Sequence, residues 1–218
     1  MGNLNFEFLI SNSESDVALE AISVPPATGN PPNQLFVALH GWGSNAQDLA
    51  SLAPMLNLGN CQMVFPHAPF PHPHVPGGKM WYNLEQWDEQ GLAESRQRLT
   101  EWLQSLESST EIPLSRTILS GFSQGGAMTL DVGLNFPLAG LCSLSGYLHG
   151  QPQAGQTFPP VLIVHGRQDS IVPLKAAQQA RDALTSLGVA VEYQEFDMQH
   201  EVQPAVLDLM QRFITTKM

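Results

Sequence analysis

Basic residues are scarce in this chain. Nine Lys and Arg stand against 20 Asp and Glu in 218 residues, a formal net charge of −11. Such a balance repels a nucleic-acid backbone or an anionic membrane surface, and no run of basic residues makes a local exception. Cysteine is also rare. Cys61 and Cys142 form no CxxC pair, and each sits in an apolar run (CQMVF, LCSLS), as buried thiols in a reducing compartment do. No apolar run approaches the ~20 residues that span a bilayer. Residues 1–10 lack the charged start and long apolar stretch of a signal peptide. Charged residues make up only 13% and hydrophobic residues 43%, which excludes a disordered chain and supplies a core. The expectation is one soluble, cytoplasmic domain over 1–218.

What is present is an alternation of strands and helices. Leu4, Phe6, Phe8 and Ile10 alternate with polar residues, and a second short run follows at 18–24; together they predict an antiparallel pair at a sheet edge. From Leu35 the strands read as continuous apolar runs, as strands covered on both faces do. They fall at 35–39, 61–66, 117–121, 140–145, 161–166 and 189–196. Helical patterns fall between them, at 45–55 with Asn45 as cap, 89–108, 124–136, 174–187 and 203–213. Alternation of this kind predicts a mostly parallel central sheet with helices on both faces. In such sheets sites form at the carboxyl ends of strands.

Three of those ends carry matched chemistry. After 117–120 comes Gly121-Phe122-Ser123-Gln124-Gly125, a G-x-S-x-G turn between a strand and a helix, whose glycines make room for a sharp turn that exposes the hydroxyl. Taken alone, that turn could merely pack tightly or bind an anion. After 161–166 comes Asp169, and after 189–196 comes His200. A serine hydroxyl needs an imidazole to take its proton, and the imidazole needs a carboxylate to fix its tautomer. The order Ser, Asp, His is that of the α/β-hydrolases. An oxyanion intermediate needs two donors. The backbone N–H of Gln124 is one, and the loop His40-Gly41-Trp42-Gly43 offers the N–H of Trp42 as the other.

These residues resemble the carboxylesterase and lysophospholipase group that includes the acyl-protein thioesterases. The likeness covers roughly 35–214, through LHGWGSNAQD (39–48), FPHAPF (65–70), GGKMWYNL (77–84), LSGFSQGGAM (119–128), GLCSLSGYL (140–148), VLIVHGRQDSIVP (161–173) and His200-Glu201-Val202. It implies an α/β-hydrolase fold with Ser123, Asp169 and His200 as triad, and with Trp42 and Gln124 as oxyanion donors. It also puts the segment containing Trp81 beside the acyl pocket. Two positions depart from the family: Tyr82-Asn83 stands where Phe-Asp is common, and Gln199 where Gly or Met often precedes the histidine.

Only 46 positions separate Ser123 from Asp169, and a helix and a strand fill most of them. No cap domain fits, so an open site is expected. The irregular stretch 66–87 carries Phe70, Val75, Met80, Trp81, Tyr82 and Trp87. Long irregular loops in compact domains are commonly functional. The expectation is one wall of an acyl groove, with Phe70, Met80 and Trp81 as substrate contacts; the alternative is that Trp81 and Trp87 anchor the loop in the core. His67, His72 and His74 match no zinc spacing, so neither metal nor cofactor is expected. The function expected is hydrolysis of an ester or thioester of a short-to-medium acyl group, borne by a small molecule, protein or lipid. A lysophospholipase, and a non-catalytic binding protein on the same fold, are the alternatives. No nucleic acid and no stable membrane insertion are expected, and a monomer or weak homodimer is.

Overall fold

A computed structural model describes residues 7–9, 19–86, 88–153 and 157–218. Its strands are β1 (Glu7–Leu9), β2 (Ala21–Val24), β3 (Gln34–Leu39), β4 (Cys61–Pro66), β5 (Phe70–Pro71), β6 (Lys79–Met80), β7 (Thr117–Phe122), β8 (Gly140–Leu144), β9 (Val161–Gly166) and β10 (Val191–Phe196). Its α-helices are α1 (Ala46–Ala50), α2 (Glu89–Thr110), α3 (Gln124–Gly133), α4 (Leu174–Ser186) and α5 (Pro204–Lys217). Eight strands form one sheet in the order β1-β2-β4-β3-β7-β8-β9-β10. From β4 to β10 every pairing is parallel. β2 joins β4 antiparallel, and β1 joins β2 antiparallel with Phe8 opposite Ile22. The antiparallel edge is as expected; residues 4, 6, 10 and 18 of that expectation lie outside the described residues.

The parallel strands are covered on both faces because alternate residues enter two separate cores. Leu35, Val37 and Leu39 of β3 pack with Leu99, Leu103 and Met128, on the side of α2, α3 and α4. Phe36 and Ala38 pack with Ala46, Leu207 and Phe213, on the side of α1 and α5. The period of two along a strand thus becomes two layers of helix.

One helix differs from expectation. The pattern at 45–55 predicts a single helix, whereas α1 ends at Ala50 and a separate 3₁₀ turn covers Ala53–Met55. Pro54 is the reason. It has no N–H to continue the ladder and disfavours a helical residue before it. Asn45 does cap α1, its side chain accepting the Asp48 N–H at 3.1 Å. The connection from β8 to β9 contains no helix or strand among its described residues, so no cap domain roofs the sheet end there.

Candidate active site

The turn after β7 is built on close backbone approach. A Cβ on Gly121 would lie 2.2 Å from the Gly125 carbonyl oxygen, and one on Gly125 would lie 2.2 Å from the Leu39 carbonyl oxygen. Only hydrogen fits at either place. Ser123 between them has φ 55° and ψ −117°, a conformation that costs a non-glycine residue about 1–3 kcal/mol. The turn is held there by two bonds. The Ser123 N–H donates to Leu144 C=O at 2.8 Å, and the Ala127 N–H donates to Ser123 C=O at 3.0 Å.

The loops after β9 and β10 bring their side chains to this turn. His200 Nε2 lies 2.9 Å from Ser123 Oγ, and His200 Nδ1 lies 2.6 Å from Asp169 Oδ2. A carboxylate can only accept, so Nδ1 carries the proton and Nε2 faces the serine hydroxyl as acceptor. The other carboxylate oxygen accepts the N–H groups of Ile171 and Val172 at 2.9 and 2.8 Å. Burial alone would raise the Asp169 pKa. The bond from His200 and the N–H groups of Val172 and Ile171 outweigh burial and hold it below the ordinary carboxylate value. Gly166 lets the two loops meet: a Cβ there would lie 2.4 Å from the carbonyl oxygens of Met198 and Gln199.

The 40–43 loop passes beside the Ser123 turn. A Cβ on Gly41 would lie 3.3 Å from Ser123 Cβ. The backbone N–H groups of Trp42 and Gln124 find no hydrogen-bond acceptor among the described residues. His40, fully buried, sets the loop's geometry. Its Nε2 accepts the Ala68 N–H at 3.0 Å, which leaves Nδ1–H to donate to Gly41 C=O at 2.8 Å. Burial lowers the His40 pKa to about 4, so the ring is neutral at ordinary pH. Because a peptide is planar, holding the Gly41 carbonyl also aims the Trp42 N–H on its opposite side.

Trp81 corrects the sequence expectation. It is completely buried and joins the core beside Leu39, Leu99 and Met128, so its ring lines no open groove. Its indole N–H donates to His40 C=O at 3.0 Å. An aromatic with a donor sinks into a core when a partner waits there, and that partner is invisible in sequence. Phe70 and Met80 are half-buried and face each other across the β5–β6 ribbon. This ribbon is bolted to the 40–43 loop, since the Gly43 N–H donates to Lys79 C=O and the Lys79 N–H donates to Ser44 C=O, at 2.9 and 2.7 Å. Trp87 lies outside the described residues.

Other histidines take local roles. His67 Nδ1 accepts the Ala46 N–H, His72 Nδ1 accepts those of His74 and Val75, and His74 pairs with Glu85. Among the described residues no cluster of His, Cys, Asp or Glu is placed to hold a metal ion. Both cysteines are free and buried, and burial pushes the Cys61 thiol up to about 12. Two residues near the site escaped the sequence reading. His165, fully buried, donates from Nε2 to Val172 C=O at 2.8 Å and lies 3.4 Å from Asp169 Oδ2. The Phe122 ring packs against His200 with centroids 4.8 Å apart. A signal for the first was available: His165-Gly166 repeats the His40-Gly41 pair at a strand end.

Fold and site together define an α/β-hydrolase. The chain belongs to the phospholipase/carboxylesterase family, whose profile matches residues 22–218. It is similar to acyl-protein thioesterase 1 of Schizosaccharomyces pombe, 31% identical over 71% of this chain and 76% of that one. The same-named protein of Neurospora crassa is 29% identical over 82% of each chain. The crystal structure of esterase PE8 superimposes with a TM-score of 0.82 at 28% identity, covering 90% of this chain and 97% of the other.

Proposed function

We propose that this serine hydrolase cleaves carboxylic esters or thioesters of short-to-medium acyl groups through an acyl-enzyme, with Ser123 as nucleophile. The observation that carries this is the continuous line Ser123 Oγ, His200 Nε2, His200 Nδ1, Asp169 Oδ2, at 2.9 and 2.6 Å. His200 takes the hydroxyl proton as Oγ attacks the acyl carbon. Negative charge gathers on the former carbonyl oxygen, which accepts hydrogen bonds from the N–H groups of Trp42 and Gln124. Asp169, held as an anion, stabilises the imidazolium. His200 then gives its proton to the departing oxygen or sulfur. Water, deprotonated by His200, attacks the ester on Ser123 and releases the acid.

An apolar acyl group is supported by the surroundings. Ile171, two residues past Asp169, is 68% exposed, and Val75 is exposed within the 66–80 stretch. A narrow recess of about 40 Å³ on the α1–α5 face is lined by Phe122, Val202, Leu49 and Leu52 among other apolar residues. Names of the relatives point the same way: acyl-protein thioesterase and esterase. A reducing, cytoplasmic setting is supported by two free, buried cysteines, and no helix among the described residues is long and apolar enough to cross a membrane.

The test is labelling with a fluorophosphonate probe, then turnover of p-nitrophenyl esters and acyl thioesters. Stoichiometric labelling is expected in the wild type and none in Ser123→Ala. A wild-type protein that never labels overturns the proposal.

A further inference from the structure

Trp81 touches both halves of the site that face the developing oxyanion. On one side its indole N–H donates to the carbonyl of His40, at 3.0 Å. That carbonyl belongs to the peptide just before the one carrying the Trp42 N–H. On the other side its backbone N–H donates to the side-chain oxygen of Gln124, at 2.9 Å. The same amide completes a clamp, its NH₂ donating to Tyr82 C=O at 2.7 Å. Gln124 is itself fully buried, and its backbone carries the second donor. The Trp81 carbonyl is also engaged, by the hydroxyl of Ser95 on α2. Every polar group of Trp81 is therefore bonded, and two of the three bonds end on the two donor-bearing segments.

We infer that Trp81 is a positioning residue that sets the spacing between the Trp42 and Gln124 N–H groups, braced between them as a rigid bar. This rests on the hydrolase reading above. The two donors come from different elements, the loop after β3 and the first turn of α3. A shared oxygen must lie about 3 Å from both at once. The pairing of β3 with β7 brings the two elements side by side, and Trp81 is bonded to both. The indole is suited to the task because it is stiff, with only two rotatable bonds, and fully packed. The arrangement also explains why a tryptophan amid a solvent-facing, aromatic-rich segment is sunk in the core.

Two variants test the brace without deleting either donor. Trp81→Phe removes the indole N–H and keeps an apolar ring. Gln124→Met removes the amide clamp and keeps the backbone N–H of residue 124. For each, kcat and KM are measured on p-nitrophenyl acetate, butyrate and octanoate, below the unfolding temperature of that variant. Displacing an oxyanion donor without removing it is expected to lower kcat about 10- to 100-fold. The loss should be of similar size on all three esters, with KM changed less than about twofold. A loss confined to octanoate would return Trp81 to the substrate wall and overturn the inference. So would wild-type kcat in both variants, or a loss that only tracks the unfolded fraction. If Trp81→Phe does not fold, Gln124→Met gives the same readout alone. Phosphonate labelling of Ser123 separates the two levels: an unlabelled wild type ends the hydrolase reading, whereas a labelled wild type with untouched kcat in the variants ends only the brace.

Discussion

The loops after β7, β9 and β10 and the segment 66–86 both reach the Ser123 turn, and they are held by opposite means. In the first region the backbone does the holding. Glycines at 121, 125 and 166 let main chains approach where a Cβ would lie 2.2–2.4 Å from a carbonyl oxygen, and the side chains of Ser123 and His200, with one oxygen of Asp169, are left for one another. In the second region side chains do the holding. Trp81, Ser95, Gln124, His72 and Asp88 spend their polar groups on neighbouring backbone, and an irregular segment becomes a fixed one. A residue presented by backbone can be recognised from its neighbours in sequence. A residue used as a fastener is recognised only from what it fastens to.

The comparison is tested hardest at Asp169. Replacement by Asn keeps the shape but offers His200 an amide in place of an anion. We expect kcat to fall about 10³- to 10⁴-fold, with labelling by a reactive phosphonate slowed in parallel. A loss of under tenfold would mean that this rim is not organised around the carboxylate. The linkage to stability has a defined sign. The folded-state pKa of Asp169 is depressed, so its contribution is present above the ordinary Asp range and is lost as pH falls through the folded value. The stability gap between wild type and Asp169→Asn should therefore narrow on acidification, read by urea unfolding at several pH values.

Next in size is the backbone approach itself. Gly125→Ala would push a methyl into the Leu39 and His40 carbonyls, which belong to a buried strand end and cannot swing away. Overpacking of this kind is expected to cost about 3 kcal/mol. The contrast is Gly150→Ala, where nothing lies within 4 Å and the change should stay within about 0.5 kcal/mol. Chemical denaturation of the pair measures both. Equal costs would mean that close backbone approach does not hold the turn at Ser123.

The same distinction explains what is legible in the sequence. The alternation of strands and helices along the chain and the places of residues 123, 169 and 200 after strands are legible, because apolar runs, a G-x-S-x-G turn and the Ser, Asp, His order are local patterns with local causes. The break in the 45–55 helix is also written in sequence, at Pro54, against the helical spacing of the apolar residues around it. Trp81 was a different matter. Its ring could face a groove or the core with equal local propriety, and the carbonyl of His40 decides, 41 positions away. The support given by His165 to the Asp169 turn needed the same long-range knowledge, although its His-Gly setting was a clue.

The smallest expected effect lies deepest in the fastened region. Tyr82, next to the brace, has its hydroxyl 2.5 Å from Tyr147 Oη and 2.7 Å from His149 Nε2. His149 Nδ1 lies 3.1 Å from Asp131 Oδ2, and Arg96 grips the same carboxylate. Burial would raise the Asp131 pKa, but His149 and Arg96 more than offset that and hold it low. Burial raises both phenols, which leaves them neutral donors. The chain of contacts ties α2 and α3 to the segment after β6 and to the loop after β8, with no member bonded to Ser123 or His200. If it is purely a fastener, Tyr147→Phe should lower stability by about 1 kcal/mol and leave kcat and KM on p-nitrophenyl butyrate within about twofold. Tyr82 keeps its bond to His149 in that variant, so the strut loses an end and not its middle. A fall in kcat without a fall in stability would show that this network reaches the chemistry, and the line drawn between presenting and fastening residues would have to move.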